Sequence, residues 1–226
     1  MTDLVFPGAR ATVSRRALVA AAGSLAAIAT FAPGASAQRR SGPAEVSLDE
    51  LLKPGDLPDL VLGSPDAKVT IVEYASMTCG HCANFHNNVF PELKKKYIDT
   101  GKIRFIMREF PLDNLAAAGS MLARCAGDGK TYPMIDVLFQ KQADWVVRTN
   151  PVPKLFELAK QAGFTEDSFN KCLTDDALLS KIEATRKRAS EQFGVSSTPT
   201  FFVNGKRLEG ASLADFDKAL EPLLKS

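Results

Sequence analysis

The stretch Val69-Thr70-Ile71-Val72-Glu73-Tyr74-Ala75-Ser76-Met77-Thr78-Cys79-Gly80-His81-Cys82-Ala83-Asn84-Phe85 decides the fold. Its first six residues are β-branched and apolar around one acid, Glu73, which is the composition of a buried strand. From Gly80 to Tyr97 apolar residues return at Cys82, Phe85, Val89 and Leu93, a helical spacing. Pro91 is expected to kink that helix, because it removes the amide that would bond to Asn87. Cys79 therefore falls where strand gives way to helix, with its sulfur facing unpaired amides and the positive end of the helix dipole. Such a placement favours thiolate: cysteines in C-x-x-C motifs at helix starts have pKa values lowered from ~8.5 to as little as ~3.5. Cys82, one turn later, is near enough to close a disulfide and faces inward, where burial keeps its thiol protonated. Cys79 is thus expected to meet substrate and Cys82 to resolve. His81, as imidazolium or as a donor, is the candidate tuner of the Cys79 thiolate. His86 is expected to be a helix-surface or packing residue.

Outward from this stretch, Ile103 to Phe110 forms a second strand, and the right-handed crossover rule makes it a parallel neighbour of the first. The following 80 or so residues carry Ala, Leu, Lys and Gln in helical periods, with stripes at Leu155, Leu158, Ala159 and Ala162 and at Ile182, Ala189 and Phe193. Thr200 to Val203, the dipeptide Asn204-Gly205 and Lys206 to Leu208 then read as a hairpin. A last helix, Leu213 to Leu224, aligns Leu213, Phe216, Leu220 and Leu223. The sum is an α/β, thioredoxin-like fold over 59–226 with a helical insertion at about 112–194.

Ahead of the domain, Arg10, Arg15 and Arg16 precede an Ala-rich stretch, Ala17 to Phe31, that ends at Ala35-Ser36-Ala37. Residues 1–37 are expected to be a cleaved signal peptide. The apolar stretch is too short and too poor in Leu and Ile for a spanning helix, which needs about 20 strongly apolar residues. Ser14-Arg15-Arg16-Ala17-Leu18 resembles the twin-arginine pattern, so that route and the general secretory one both stay open. Residues 38–58, rich in Gly, Pro, Arg and Ser, are expected to be a flexible arm, with the fold beginning near Asp59. Removing the leader takes three of 28 basic residues and one of 26 acids, leaving 25 of each sign. Zero net charge argues against nucleic-acid or anionic-membrane binding driven by bulk charge.

The chain resembles the DsbA-like family of bacterial disulfide-bond oxidoreductases, within the thioredoxin superfamily, over roughly residues 59 to 225. Four features carry the resemblance: the Cys79-Gly80-His81-Cys82 dithiol at a helix start, Glu73 six positions ahead of it, Thr198-Pro199 before the last hairpin, and the helical insertion. The resemblance implies that Glu73 is a buried acid able to relay the Cys82 proton, that Thr198-Pro199 is a cis-proline loop whose backbone bonds an extended substrate, and that the activity is thiol:disulfide exchange. It further implies a periplasmic protein, introducing disulfides into thiol-containing exported proteins and reoxidised by a DsbB-type membrane quinone reductase. No cofactor is expected, and the chain is expected to be a monomer. Gly80 departs from the family's commonest oxidase pattern, where proline is frequent. The Gly-His pair also occurs in protein disulfide isomerases, so oxidase, isomerase and reductase directions stay open.

Four Cys in an apparently exported chain make disulfide chemistry the leading expectation. Cys125 and Cys172, both in the insertion, are expected to form a structural disulfide, with a pair of inert buried thiols as the alternative; a loop of that length could add about 4 kcal/mol in the chain-entropy model. Two readings from other classes compete. Cys79, Cys82 and His81 or His86 could bind Cu(I) or Zn as soft ligands, although structural zinc needs four ligands and only one C-x-x-C is present. A non-catalytic peptide-binding module would leave the intact dithiol without a use.

Overall fold

Two parallel strands, β2 (Val69–Ala75) and β3 (Ile103–Glu109), lie at the centre of the computed structural model, which describes residues 42–127 and 129–225. The leader expected over 1–37 lies outside the described residues. On the far side of β2 runs β4 (Thr200–Val203), antiparallel, and beyond it β5 (Lys206–Leu208). The other edge is β1 (Leu60–Gly63), antiparallel to β3, giving the order β1-β3-β2-β4-β5. β1 escaped the sequence pattern because its four residues only alternate between half-buried and exposed, too short a run to show a period.

Both faces of the sheet are covered, so all seven residues of β2 are buried. Strand alternation sends Val69, Ile71 and Ala75 into one apolar cluster with Phe85, Phe105, Phe201 and Phe216, and sends Val72 and Tyr74 into another with Phe110, Phe193 and Phe202. Glu73 shares the face of Ile71 and Ala75, toward α2 (Gly80–Asn88). The helix that begins at Gly80 is interrupted for one residue where Pro91 removes the amide that would bond to Asn87, as expected, although Val89 keeps helical bonds to Phe85 and Leu93. It stops at Val89, with φ −111°, and resumes as α3 (Phe90–Leu93) with Pro91 in the first turn, where a missing amide costs little. A π-helical turn over Lys94–Ile98 follows.

The insertion consists of α4 (Asn114–Cys125), α5 (Thr131–Gln140), α6 (Gln142–Trp145), α7 (Pro151–Gln161), α8 (Glu166–Leu173) and α9 (Asp176–Phe193). A disulfide between Cys125 and Cys172, with Cα atoms 6.2 Å apart, ties the end of α4 to α8. On α7 the stripe of Leu155, Leu158 and Ala159 is buried, whereas Ala162 falls just past the helix end and is exposed. The closing helix α10 (Leu213–Lys225) buries Phe216 and Leu220, with Leu213 and Leu223 half-buried. Among the described residues no helix is long and apolar enough to cross a membrane.

The hairpin turn has positive φ at both Asn204 (45°) and Gly205 (86°), the type I′ geometry that follows strand twist. A Cβ on Gly205 would also sit 2.5 Å from the Val46 carbonyl oxygen. That close approach belongs to the segment expected as a flexible arm, and the expectation is corrected for its described part. The Val46 amide donates to Gly205 O at 2.9 Å and the Arg207 amide to Ala44 O at 2.8 Å. A short helix, α1 (Leu48–Leu52), then plants Leu51, fully buried, in the cluster of Val72 and Tyr74. Arg108 donates to Leu51 O at 2.7 Å, and Arg188 reaches Glu50 O at 2.6 Å and Lys53 O at 2.9 Å. Few apolar residues are needed when backbone pairing and guanidinium donors carry the docking. Replacing Leu51 by Ala is expected to lower the unfolding free energy by about 2–5 kcal/mol. Urea unfolding measures it, and a change under about 0.5 kcal/mol, the surface-substitution range, would mean that this segment is not part of the cooperative fold.

Candidate active site

The antiparallel register of β2 and β4 pairs Tyr74 with Thr200, which brings the residues just before β4 alongside the loop that leaves β2. Thr198-Pro199, a cis peptide, and Cys79 meet there: Thr198 O lies 3.2 Å from Cys79 Sγ. Thr198 is buried and Pro199 half-buried. Cys79 is the residue before the first turn of α2, with extended φ −78° and ψ 118°. No side-chain oxygen caps this helix; instead the backbone amides of His81 and Cys82 act on the Cys79 sulfur. Sulfur takes the place that a Ser or Asp oxygen usually fills at a helix start.

Both thiols are free, Cys79 half-exposed and Cys82 buried. The Cys79 thiol is lowered to about 5, chiefly by a hydrogen bond donated by the Cys82 thiol, which outweighs burial; Thr198 and the two amides add to the lowering. Thr198 bears on both forms: its carbonyl can accept from the Cys79 thiol, while its buried hydroxyl, which has no nitrogen or oxygen partner, favours the thiolate. Burial pushes the Cys82 thiol far up, and donation to Cys79 and the charge of Glu73 push the same way. One sulfur is therefore charged and reachable at neutral pH, and the other is protonated and shielded.

Several hydrogen bonds hold the loop that carries Cys79, four of them reaching its backbone or Thr78. Its amide donates to Ser76 O at 3.1 Å, and Thr78 Oγ1 donates to Asp113 Oδ2 at 2.8 Å while Asp113 Oδ1 caps α4. Gln142 Nε2, from α6, donates to Met77 O at 2.8 Å and Cys79 O at 3.1 Å. Neither Asp113 nor Gln142 stood out in the sequence. Asp113 carries an N-cap signal before an Ala-rich run; Gln142 carries none, since only the tertiary fold brings it to the loop. Beneath the dithiol, Glu73 is fully buried and its Oε2 lies 2.9 Å from His86 Nε2. His86 is thus not a helix-surface residue; it packs inside, in a polar contact. Cys125 and Cys172 are bonded to each other in the insertion. Among the described residues no three His, Cys, Asp or Glu converge so as to hold a metal ion.

Comparison with known proteins agrees with this geometry. A family model described as Thioredoxin matches residues 56–222. The crystal structure of Wolbachia pipientis alpha-DsbA1 superposes with a TM-score of 0.72 at 33% identity, covering 80% of this chain and 96% of that one. The chain belongs to the DsbA-like family of the thioredoxin superfamily. A chain of Rickettsia bellii provisionally named a protein-disulfide oxidoreductase is 39% identical over 168 residues, 72% of this chain and 65% of that relative. Disulfide bond formation protein D of Bacillus subtilis is 28% identical over 170 residues, 73% of this chain and 75% of that one. This DsbA-like chain thus spans just under two thirds of the Rickettsia bellii relative's length.

Gly80, where the family often has proline, occupies the first helical position. A Cβ there would meet nothing within 4 Å, and the extended Cys79 before it is the conformation that precedes proline. Gly80→Pro is accordingly expected to fold and to keep the Cys79 pKa near 5, since the amides that act on the sulfur are those of His81 and Cys82. Titrating thiolate absorbance at 240 nm reads it; an upward shift of a unit or more would show that the Gly80 amide is required. The pH dependence of stability has a definite sign. A thiol lowered from an ordinary 9.0 to about 5 on folding stabilises the reduced protein fully above pH 9, and this gain is lost as pH falls through 5. The oxidised protein has no such proton. The melting temperature of reduced relative to oxidised protein is expected to rise between pH 5 and 9, and a flat difference would contradict the assigned thiolate.

Proposed function

We propose that the protein is an exported thiol:disulfide oxidoreductase whose main direction is the introduction of disulfide bonds into thiol-containing exported proteins. The polarity of the dithiol carries this reading. A thiolate stabilised as strongly as that of Cys79 favours the reduced form, and so makes the Cys79-Cys82 disulfide a strong oxidant with Cys79 a good leaving group. A substrate thiolate attacks Cys79, the disulfide opens, and a mixed disulfide forms between Cys79 and the substrate. A second substrate thiolate then attacks the substrate sulfur, releasing an oxidised product and the Cys79 thiolate. Cys82 is the resolver that closes the ring when the enzyme is reoxidised. Glu73 relays the Cys82 proton, and His81 tunes Cys79 through its amide and its exposed imidazole. Thr198-Pro199 presents backbone to an extended substrate segment.

Residues 1–37 are read as the export signal, cleaved after Ala37, and the mature chain as a periplasmic monomer, with the Cys125-Cys172 disulfide a structural bond suited to an oxidising compartment. Electrons gained by the dithiol leave to a DsbB-type membrane quinone reductase. The equilibrium of the Cys79-Cys82 disulfide against glutathione tests the direction. A potential near about −120 mV is expected; about −180 mV would indicate an isomerase-like poise, and a value as low as thioredoxin's, about −270 mV, would overturn the oxidase direction. Cys82→Ser should accumulate a mixed disulfide on Cys79, and Cys79→Ser should abolish exchange.

A further inference from the structure

A lone carboxylate buried in a sheet core is costly, and removing its partner typically destabilises by several kcal/mol, so the surroundings of Glu73 demand a use. Its side chain and that of His86 are 0% and 1% exposed, and they meet through Oε2 and Nε2 at 2.9 Å. His86 follows Cys82 by four residues on α2, so both project from one helix face. Its ring is stacked on Phe139 at 4.4 Å, with Phe85 and Phe90 against its other sides, which leaves it one orientation. Two buried polar atoms of the pair, Glu73 Oε1 and His86 Nδ1, have no hydrogen-bond partner. One oxygen of the acid is committed to His86 and the other is not. From α5, Tyr132 interacts electrostatically with Glu73 and Asp136 with His86; Glu109 of β3 acts in turn on Tyr132, and Lys94 of the π-helical turn on Asp136. Of the carboxylates, it is Glu73 whose charge acts on the Cys82 sulfur.

We propose that Glu73 and His86 work as one proton-holding dyad for Cys82, with His86 the positioning residue that fixes Oε2 and leaves Oε1 to exchange the Cys82 proton. The proposal rests on the thiol:disulfide reading of the site. When a substrate thiolate attacks Cys79, the Cys79-Cys82 bond breaks, its electron pair leaves on the Cys82 sulfur, and a proton from the dyad neutralises it. On reoxidation Cys82 attacks the Cys79 sulfur of a mixed disulfide. The Cys79-Cys82 bond forms, the partner leaves as thiolate with the electron pair, and the Cys82 proton returns to the dyad. Two electrons and one proton cross the site in each direction, and disulfide and thiol are the only oxidant and reductant.

Mixing reduced protein with oxidised glutathione by stopped flow separates attack by Cys79, which depends on glutathione concentration, from closure by Cys82, which does not. His86→Gln is expected to slow closure tenfold or more between pH 5 and 8, with the Cys79 titration still near 5 and the attack phase unchanged. Glu73→Gln should slow closure similarly, and the double variant no more than the slower single one, as for groups acting as a unit. Normal closure in His86→Gln with slow closure in Glu73→Gln would overturn the dyad and leave the Glu73 relay standing. Normal closure in both would take the relay with it. A His86→Gln variant that also shifts the Cys79 titration would show a structural role and overturn the proposal. The unaltered protein gives a check independent of folding of the variants: because Glu73 changes charge 2.9 Å from the His86 ring when the proton moves, the nitrogen-15 shifts of that ring should differ between the oxidised and reduced protein, and identical shifts in both redox states would refute the dyad.

Discussion

A helix start whose cap is a sulfur atom is the constraint on which this structure turns. Every helix leaves its first amides unpaired, and the usual remedy is a Ser, Thr, Asp or Asn oxygen. At α2 the remedy is Cys79, which satisfies its role best when it is charged. The same sulfur accepts from Cys82, so the need of the helix for an acceptor and the need of the buried thiol for a partner are met by one anion. Closing the disulfide removes that anion. The fold therefore favours the reduced state through that interaction, and the proposed oxidising direction rests on this preference through thermodynamic linkage.

Keeping the sulfur half-exposed yet fixed requires support from elements that come late in the chain. The register of β4 on β2 delivers Thr198 to 3.2 Å from Cys79, and Asp113 and Gln142 of the insertion hold the loop from the other side. The helical insertion is thus more than a cover for the sheet. Asp113 spends one carboxylate oxygen on the first turn of α4 and the other on Thr78, so the helix and the dithiol loop share a fixed point. Such coupling explains why a loop residue can keep a defined geometry without being buried.

What was legible in the sequence follows from range. The strand from Val69, the break at Pro91, the Asn204-Gly205 turn and the polarity of Cys79 against Cys82 are each decided by residues within a turn or two of one another, where periodicity, missing amides and positive φ act directly. Thr198-Pro199 needed the family resemblance, because only a sheet register 120 or so residues apart brings it to the dithiol. β1 and the docking of residues 44–52 were hidden for a related reason. β1 is held by its antiparallel pairing with β3, and residues 44–52 by backbone bonds with Gly205 and Arg207 and by Arg108 and Arg188, partners that composition does not reveal. Gln142 shows the limit: an exposed-type residue on a four-residue helix has no local sign that its amide will clamp a distant carbonyl.

Glu73 is the instructive intermediate. An acid inside a β-branched run violates the pattern of a buried strand, and a local violation without local compensation marks a functional position rather than a stabilising one. Strand alternation already predicts which way it points, since Ile71 and Ala75 flank it on the α2 face. Its compensation is remote in sequence but near in space, through His86, which by helical spacing looks like one more packing residue. Replacing the pair by apolar side chains of similar volume could match or exceed its stability. This core holds both ionisable groups, with the charge of Glu73 acting on the buried Cys82 sulfur, and the proposed proton traffic at Cys82 would give the pair a physical reason.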